Sequence, residues 1–127
     1  MNMKKLLSFA LALVMALGMA SFGMAEEPIK VGVCIYQFND NFMTLYRTEL
    51  QKYLEETYGA QVTVVDGKND QTEQTNQINS FIAEGVDVLI INLVQSTSAA
   101  TVIDLVQAAD IPTVFINLSL IHISEPT

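Results

Sequence analysis

The sequence predicts an α/β domain built on a parallel sheet with helices on both faces. Short β-branched runs alternate regularly with segments whose apolar residues recur at helical spacing. The connections between them are short, as in strand–helix–strand units that share one sheet. With 127 residues, the chain has room for one such domain and not for two.

Four apolar runs are predicted to be strands because they are short, rich in β-branched residues and bounded by turn residues. The third run is almost wholly apolar, which is typical of a strand covered on both faces. In the fourth run, Pro112 is tolerated only near the strand start. The predicted strands are Ile29–Tyr36, Gln61–Asp66, Val86–Asn92 and Ile111–Asn117.

Three helices are predicted between these strands. The first covers 41–58 and ends at Gly59. The second begins at Asp70, which precedes Glu73 by three residues as in a capping box, and the third covers 98–109. The apolar positions expected to form the inward face of the first helix are 42, 45, 46, 50, 53, 54 and 58.

Residues 1–25 have the layout of a secretory signal peptide, in which lysines precede an apolar block and small residues follow it. Gly23 and Ala25 suit the two small pockets of a signal peptidase, so cleavage is expected after Ala25. The alternative is an uncleaved membrane anchor, since residues 6–25 are nearly long enough to span a bilayer. The mature protein is expected in the periplasm or another extracytoplasmic space.

Charge and cysteine content exclude several functions for the mature chain. Removal of the leader leaves four basic against fourteen acidic side chains, a net charge of −10. Such a surface repels nucleic acids and anionic lipids. Cys34 lies in an apolar run and is predicted to be a buried hydrophobe rather than a nucleophile. The acidic stretch 66–70 lacks the spacing of a calcium loop and is interpreted as a solvated turn.

Residues 118–127 depart from the alternating pattern. The apolar string LSLIHI follows the fourth strand where a polar turn is expected, and LSLIHISEPT resembles the translation of a sequencing adapter. The native sequence is therefore expected to stop at about Asn117, with the remaining residues a non-native read-through tail. A genuine but unusual C-terminus is the alternative.

A strand order of 2-1-3-4 places the expected binding edge after Tyr36 and after the third strand. There the carboxylate of Asp40 can accept hydrogen bonds from two sugar hydroxyls, and the ring of Phe42 can lie against the apolar face of a sugar. The amide of Asn92 can both donate and accept. A local interpretation is also open, in which Asn39 or Asp40 caps the helix and Phe42 begins its buried face.

Four segments share their residues with a known family; they are YQFNDNFM, GKNDQTEQTNQI, IAEGVDVLIINLV and IPTVFIN. Over about residues 29–117 the chain resembles the periplasmic galactose/glucose-binding proteins, which are type I binding proteins of sugar ABC transporters. The resemblance implies that Asp40 and Asn92 bind sugar hydroxyls and that Phe42 stacks on the sugar. Tyr36 matches the aromatic residue that ends the first strand in this family.

The resemblance implies a binding module without catalysis, in which residues 26–117 form part of the N-terminal sugar-binding lobe. Two lobes would close on one monosaccharide, and a membrane permease or a chemoreceptor would recognise the closed form of a monomer. No cofactor is expected in this lobe, and the calcium site of the family would lie in the second lobe. The pair Gln95-Ser96 departs from the acidic–proline pair common in the family.

Other functions are less consistent with the sequence. The phosphate-binding motifs G-x-G-x-x-G and G-x-x-x-x-G-K-[ST] do not occur, which argues against dinucleotide and P-loop enzymes. Asn92 stands where a phospho-receiver domain needs an acceptor aspartate. A sugar-responsive transcription regulator would begin with a basic helix-turn-helix. The main alternative is a binding protein of the same fold for ribose or another small ligand such as a signalling furanone.

Overall fold

A computed structural model describes Met3 and residues 26–117 of the chain. The predicted signal peptide and the predicted read-through tail lie outside the described residues. Between Ser96 and Ser98 a short 3-10 helix precedes the last α-helix. The strands and α-helices, in chain order, are β1 (Lys30–Ile35), α1 (Asn41–Tyr58), β2 (Gln61–Asp66), α2 (Gln71–Glu84), β3 (Val88–Ile91), α3 (Ala99–Ala108) and β4 (Thr113–Phe115).

The four strands form one parallel sheet, as the sequence predicts, and their order is β2-β1-β3-β4. In the register of β1, Val33 lies opposite Val64 of β2 and Ile90 of β3. The chain steps outward from β1 to β2 and then crosses back to β3. The two buried clusters place α1 on one face of the sheet and α2 and α3 on the other, as right-handed crossovers require for this strand order.

Each face of the sheet has its own buried cluster. Val33 and Ile35 of β1 pack with Met43 of α1 on the first face. Cys34, between them in sequence, packs on the second face with residues of α2 and α3 such as Ile78. Successive side chains of a strand point to opposite faces, so an unbroken apolar run is what a sheet covered on both faces requires.

The inward face of α1 differs from the predicted one. Met43 is fully buried, while Leu50 and Leu54 pack against the same cluster. The side chains of Phe42 and Leu45 are 64% and 65% exposed, so the expectation that Phe42 begins a buried face is wrong. The spacing of apolar residues gives the wrong inward face because such residues occupy more than one side of this helix. The predicted face also lacks Met43.

Two predicted helix starts are correct in position. The Oδ1 atom of Asp40 accepts from the N–H of Met43, and Oδ1 of Asp70 accepts from the N–H groups of Thr72 and Glu73. The other half of the expected capping box is replaced, because the N–H of Asp70 donates to the carbonyl of Gly67. Asp70 is therefore an N-cap without the reciprocal bond.

The fourth strand is shorter than predicted, covering three residues instead of seven. The N–H of Ile111 still donates to Val106 at the end of α3, and Pro112 has no N–H to give to the sheet.

Helix α1 is 18 residues long. Within the part of the chain that the structure describes, no helix is both long and apolar enough to cross a membrane.

We expect Gly32→Ala to destabilise the domain by roughly 1–3 kcal/mol, because a Cβ there overpacks the core. That Cβ would lie 2.8 Å from Cγ of Phe81 and 3.0 Å from Cδ2 of Leu89. Urea unfolding followed by circular dichroism measures the loss. The double variant with Phe81→Leu should lose less than the sum of the two single variants, and simple additivity would contradict the proposed clash.

Candidate functional site

The loop between β1 and α1 lies at the carboxyl edge of the sheet and is fixed by the loop that follows β2. The N–H of Gly67 donates to Ile35 O at 2.7 Å, and the N–H of Asn69 donates to Tyr36 O at 2.8 Å. A Cβ on Gly67 would lie 2.9 Å from both of these carbonyl oxygens, so the close approach requires glycine. The oxygen Oδ1 of Asp66 accepts from the N–H of Phe38 at 3.1 Å.

Asp40 is half-buried at the start of α1, and both oxygens of its carboxylate are engaged. Oδ1 accepts from the N–H of Met43 at 2.8 Å, and Oδ2 accepts from the hydroxyl of Tyr36 at 2.6 Å. The Tyr36 hydroxyl, followed by the Met43 N–H, lowers the pKa of Asp40. Each oxygen keeps further acceptor capacity, so the carboxylate is held in place and still able to accept from a ligand.

Tyr36 lies directly after β1, and its ring packs against the cluster under α1. Its hydroxyl donates to Asp40 and accepts from Nε2 of Gln37 at 3.3 Å. The hydrogen bond to Asp40 raises the pKa of Tyr36, because ionisation would remove the donated proton. The structure therefore brings two of the predicted site residues, Tyr36 and Asp40, into direct contact.

Phe42 occupies the first turn of α1 with its ring exposed. Its ring centroid lies 6.3 Å from that of Tyr46. Phe42 and Tyr46 line an open cavity of about 280 Å³ between the start of α1 and the end of β4, together with Met43, Ile116 and Asn117. Small-molecule sites are of this order or larger. Neither Asp40 nor Asn92 is among the residues that line this cavity.

Asn92 follows β3 and is only 2% exposed. Its Oδ1 accepts from the N–H of Tyr36 at 3.2 Å, and its Nδ2 donates to the carbonyl of Ile116 at 3.2 Å. The amide thus links the ends of β1 and β4 across β3. One Nδ2 hydrogen remains free for a ligand, so Asn92 can contribute at most a single donor from that nitrogen.

Several polar side chains that shape this edge are not among the predicted site residues. Asp66 belongs to the stretch expected to be a solvated turn, but its carboxylate fixes the backbone of Phe38 and Lys68. Gln74 is fully buried and bonds to the loop that carries Asn92. A buried glutamine among polar helix residues has no periodic signal in a sequence. The only available hint for Asp66 was its place at the carboxyl end of a strand.

Nucleophilic and metal chemistry find no support in this part of the molecule. The thiol of Cys34 is buried, and desolvation raises its pKa to about 12, so the reactive thiolate is scarce at neutral pH. Among residues 26–117, no group of three or more His, Cys, Asp or Glu side chains is arranged to hold a metal ion. The edge instead offers a fixed carboxylate, an exposed aromatic ring and partly engaged amides.

Comparison with known proteins identifies the family of this chain. The profile of the periplasmic binding protein domain family matches residues 31–125, which is most of the chain. The chain belongs to this family. Its members share the parallel sheet and strand order described above, so the fold and the resemblance expected from the sequence are confirmed.

Relatives of the chain in this family are named as binding proteins. It is 38% identical over 106 residues to the D-galactose/methyl-galactoside binding periplasmic protein of Haemophilus influenzae, covering 84% of this chain and 32% of that protein. It is 29% identical over 94 residues to the ribose import binding protein of Bacillus subtilis, covering 74% and 30%. The chain thus spans about a third of the length of these relatives.

A solved structure gives the same result for the fold. The solute-binding protein of an ABC transporter from Bacillus halodurans, solved with bound myo-inositol, superposes with a TM-score of 0.65 at 28% identity. The match covers 72% of this chain and 32% of that one. These relatives are named as binding proteins, in agreement with the expectation of a binding module.

We expect Tyr36→Phe to raise the pKa of Asp40 towards its ordinary value, because the largest cause of its lowering is removed. Carbon NMR of the carboxyl group across an acid titration measures the pKa. A lowered folded-state pKa stabilises the fold above the unfolded pKa, and this contribution is lost as the pH falls through the folded pKa. Tyr36→Phe should therefore be less stable than wild type at neutral pH, and the difference should vanish in acid.

Tyr53→Phe is the matched control, because the hydroxyl of Tyr53 interacts with Tyr58 at the other end of α1. The pKa of Asp40 should not change in this variant. An unchanged pKa of Asp40 in Tyr36→Phe would contradict the assigned role of the tyrosine hydroxyl.

Proposed function

We propose that this chain is the first lobe of an extracytoplasmic substrate-binding protein that delivers D-galactose or D-glucose to an ABC importer. The observation that supports this most directly is the fixed carboxylate of Asp40, two residues from the exposed ring of Phe42. Membership of the binding-protein family supplies the general function, and the galactoside-binding relative supports the choice of sugar.

The electrostatics around Asp40 favour an uncharged ligand that is rich in hydroxyls. Its charge is compensated by the Tyr36 hydroxyl, the Met43 N–H and the N-terminal end of α1. A carboxylate held in this way can accept from two adjacent hydroxyls, and such charge-assisted bonds are about twice as strong as neutral ones. A ligand with its own carboxylate or phosphate would be repelled at this position.

Each of the four site residues has a distinct role in this proposal. Asp40 accepts from sugar hydroxyls, and Phe42 presents an aromatic face to the C–H groups of the sugar ring. Asn92 uses its remaining amide hydrogen to donate to one hydroxyl. Tyr36 touches Asp40 directly and contributes by fixing that carboxylate in the binding orientation.

The remaining contacts of the sugar would come from a second lobe. The relatives are about two and a half times as long as this chain, which leaves room for one. Closure of two lobes buries the ligand, so that each hydroxyl left without a partner costs binding energy. In this proposal the calcium site of the family lies in that second lobe, and a permease or a chemoreceptor recognises the closed monomer outside the cytoplasm.

Another small polyol is the competing ligand. Two relatives point to such ligands. The ribose import protein of Bacillus subtilis is 29% identical to this chain, and the protein solved with myo-inositol is 28% identical. A fixed carboxylate and an exposed ring would serve ribose, inositol or a signalling furanone as well. The second lobe would supply the contacts that distinguish these ligands.

Calorimetric titration of the full-length protein with D-galactose, D-glucose, D-ribose and myo-inositol tests the function. We expect galactose or glucose to bind with a micromolar or tighter dissociation constant, since closed binding sites satisfy every hydroxyl. Tight binding of ribose or inositol alone would overturn the choice of sugar. Absence of binding to all four would overturn the proposed function.

Phe42→Ala should weaken binding of the preferred sugar by about tenfold to a hundredfold, because loss of a stacked ring removes roughly 1.5–3 kcal/mol of apolar contact. Leu45→Ala is the matched control, since Leu45 is equally exposed on the same helix, at 65% against 64%. The affinity of Leu45→Ala for the preferred sugar should equal that of wild type. Equal losses in the two variants would mean that Phe42 has no specific contact with the sugar.

A further inference from the structure

Three glutamines occur at intervals of three along the first two turns of α2, at 71, 74 and 77. Each uses its side-chain amide to bond to backbone outside its own helix. Nε2 of Gln77 donates to the carbonyl of Asp66 at 2.7 Å, at the end of β2. Gln71 and Gln74 reach in the other direction, to the loop that follows β3.

Gln74 makes the most complete contact of the three. Its Nε2 donates to the carbonyl of Asn92 at 2.8 Å, and its Oε1 accepts from the N–H of Val94 at 3.0 Å. Both ends of the amide are therefore satisfied by backbone groups two residues apart, as they would be by a neighbouring strand. Gln74 has no exposed surface, so these bonds are protected from water.

Gln71 extends this contact by one residue. Its Oε1 accepts from the N–H of Gln95 at 3.0 Å, and its Nε2 donates to Oγ1 of Thr75. Together the two glutamines fix the backbone from Asn92 to Gln95.

A continuous series of hydrogen bonds leads from Gln74 to the proposed ligand contact. Gln74 bonds to the backbone of Asn92, whose side-chain oxygen accepts from the N–H of Tyr36. The hydroxyl of Tyr36 donates to Asp40 at 2.6 Å. A shift of the loop after β3 would therefore move Asn92 and release the start of the loop that carries Asp40.

We propose that Gln74, supported by Gln71, is a positioning residue for the sugar site, which it orders without touching the ligand. This role rests on the proposed function, and it concerns side chains on a helix that contributes no ligand contact of its own. The alternative is that the glutamines only satisfy buried backbone groups, with an effect on stability and none on the site.

Gln74→Met in the full-length protein tests the role, because it keeps the length of the side chain and removes both bonds. We expect the amide proton of Val94 to exchange at least about tenfold faster, and D-galactose to bind about tenfold more weakly.

Gln51→Met is the matched control, since Gln51 lies on α1 and its side chain bonds to Glu55 of the same helix. Neither amide exchange at Val94 nor affinity should change in this variant. Binding is measured well below the unfolding temperature of every variant, so that loss of global stability does not mimic loss of affinity.

Three outcomes would overturn the role, and they are distinguishable. Unchanged exchange at Val94 in Gln74→Met would mean that the glutamine does not hold the loop. Faster exchange with unchanged affinity would mean that the loop is held for stability alone. A wild-type protein that binds none of the four polyols would instead overturn the proposed function, and with it the role of Gln74 at that site.

Discussion

The side-chain amide of Asn92 links three neighbouring strands at the carboxyl edge of the sheet. Its oxygen accepts from Tyr36 after β1, and its nitrogen donates to Ile116 after β4. The last backbone groups of parallel strands lack partners unless loops or side chains supply them. Here one buried amide satisfies two of these groups, and it thereby fixes where the loop containing Asp40 begins.

The same arrangement explains how a rigid site can be built from loops. The segment after β1 is bonded to the loop after β2 through Asp66 and Gly67, and to the end of β3 through Asn92. Asp40 then enters α1 as its N-cap, so the carboxylate is fixed by a helix as well as by Tyr36. Orientation established before a ligand arrives reduces the entropy lost on binding.

Strand and helix positions could be predicted from the sequence because alternating periodicity reports burial directly, and burial decides how a parallel sheet is covered. The inward face of α1 could not, since Phe42 and Leu45 are apolar residues that lie outside the core. The position of Asp40 after β1 predicts it as a site residue. The contacts of Gln74 could not be predicted, because hydrogen bonds from a side chain to distant backbone leave no pattern in residue spacing.

Cys34 is the fifth of the six residues of β1, a central strand of the sheet, and has no accessible surface. It belongs to the buried cluster between the sheet and helices α2 and α3, so a thiol reagent can reach it only after β1 separates from those helices. Burial also raises the pKa of the thiol to about 12, so the thiol stays protonated at neutral pH. The rate of its modification would therefore report how often the middle of the sheet opens, which gives the protein an internal chemical probe of local unfolding.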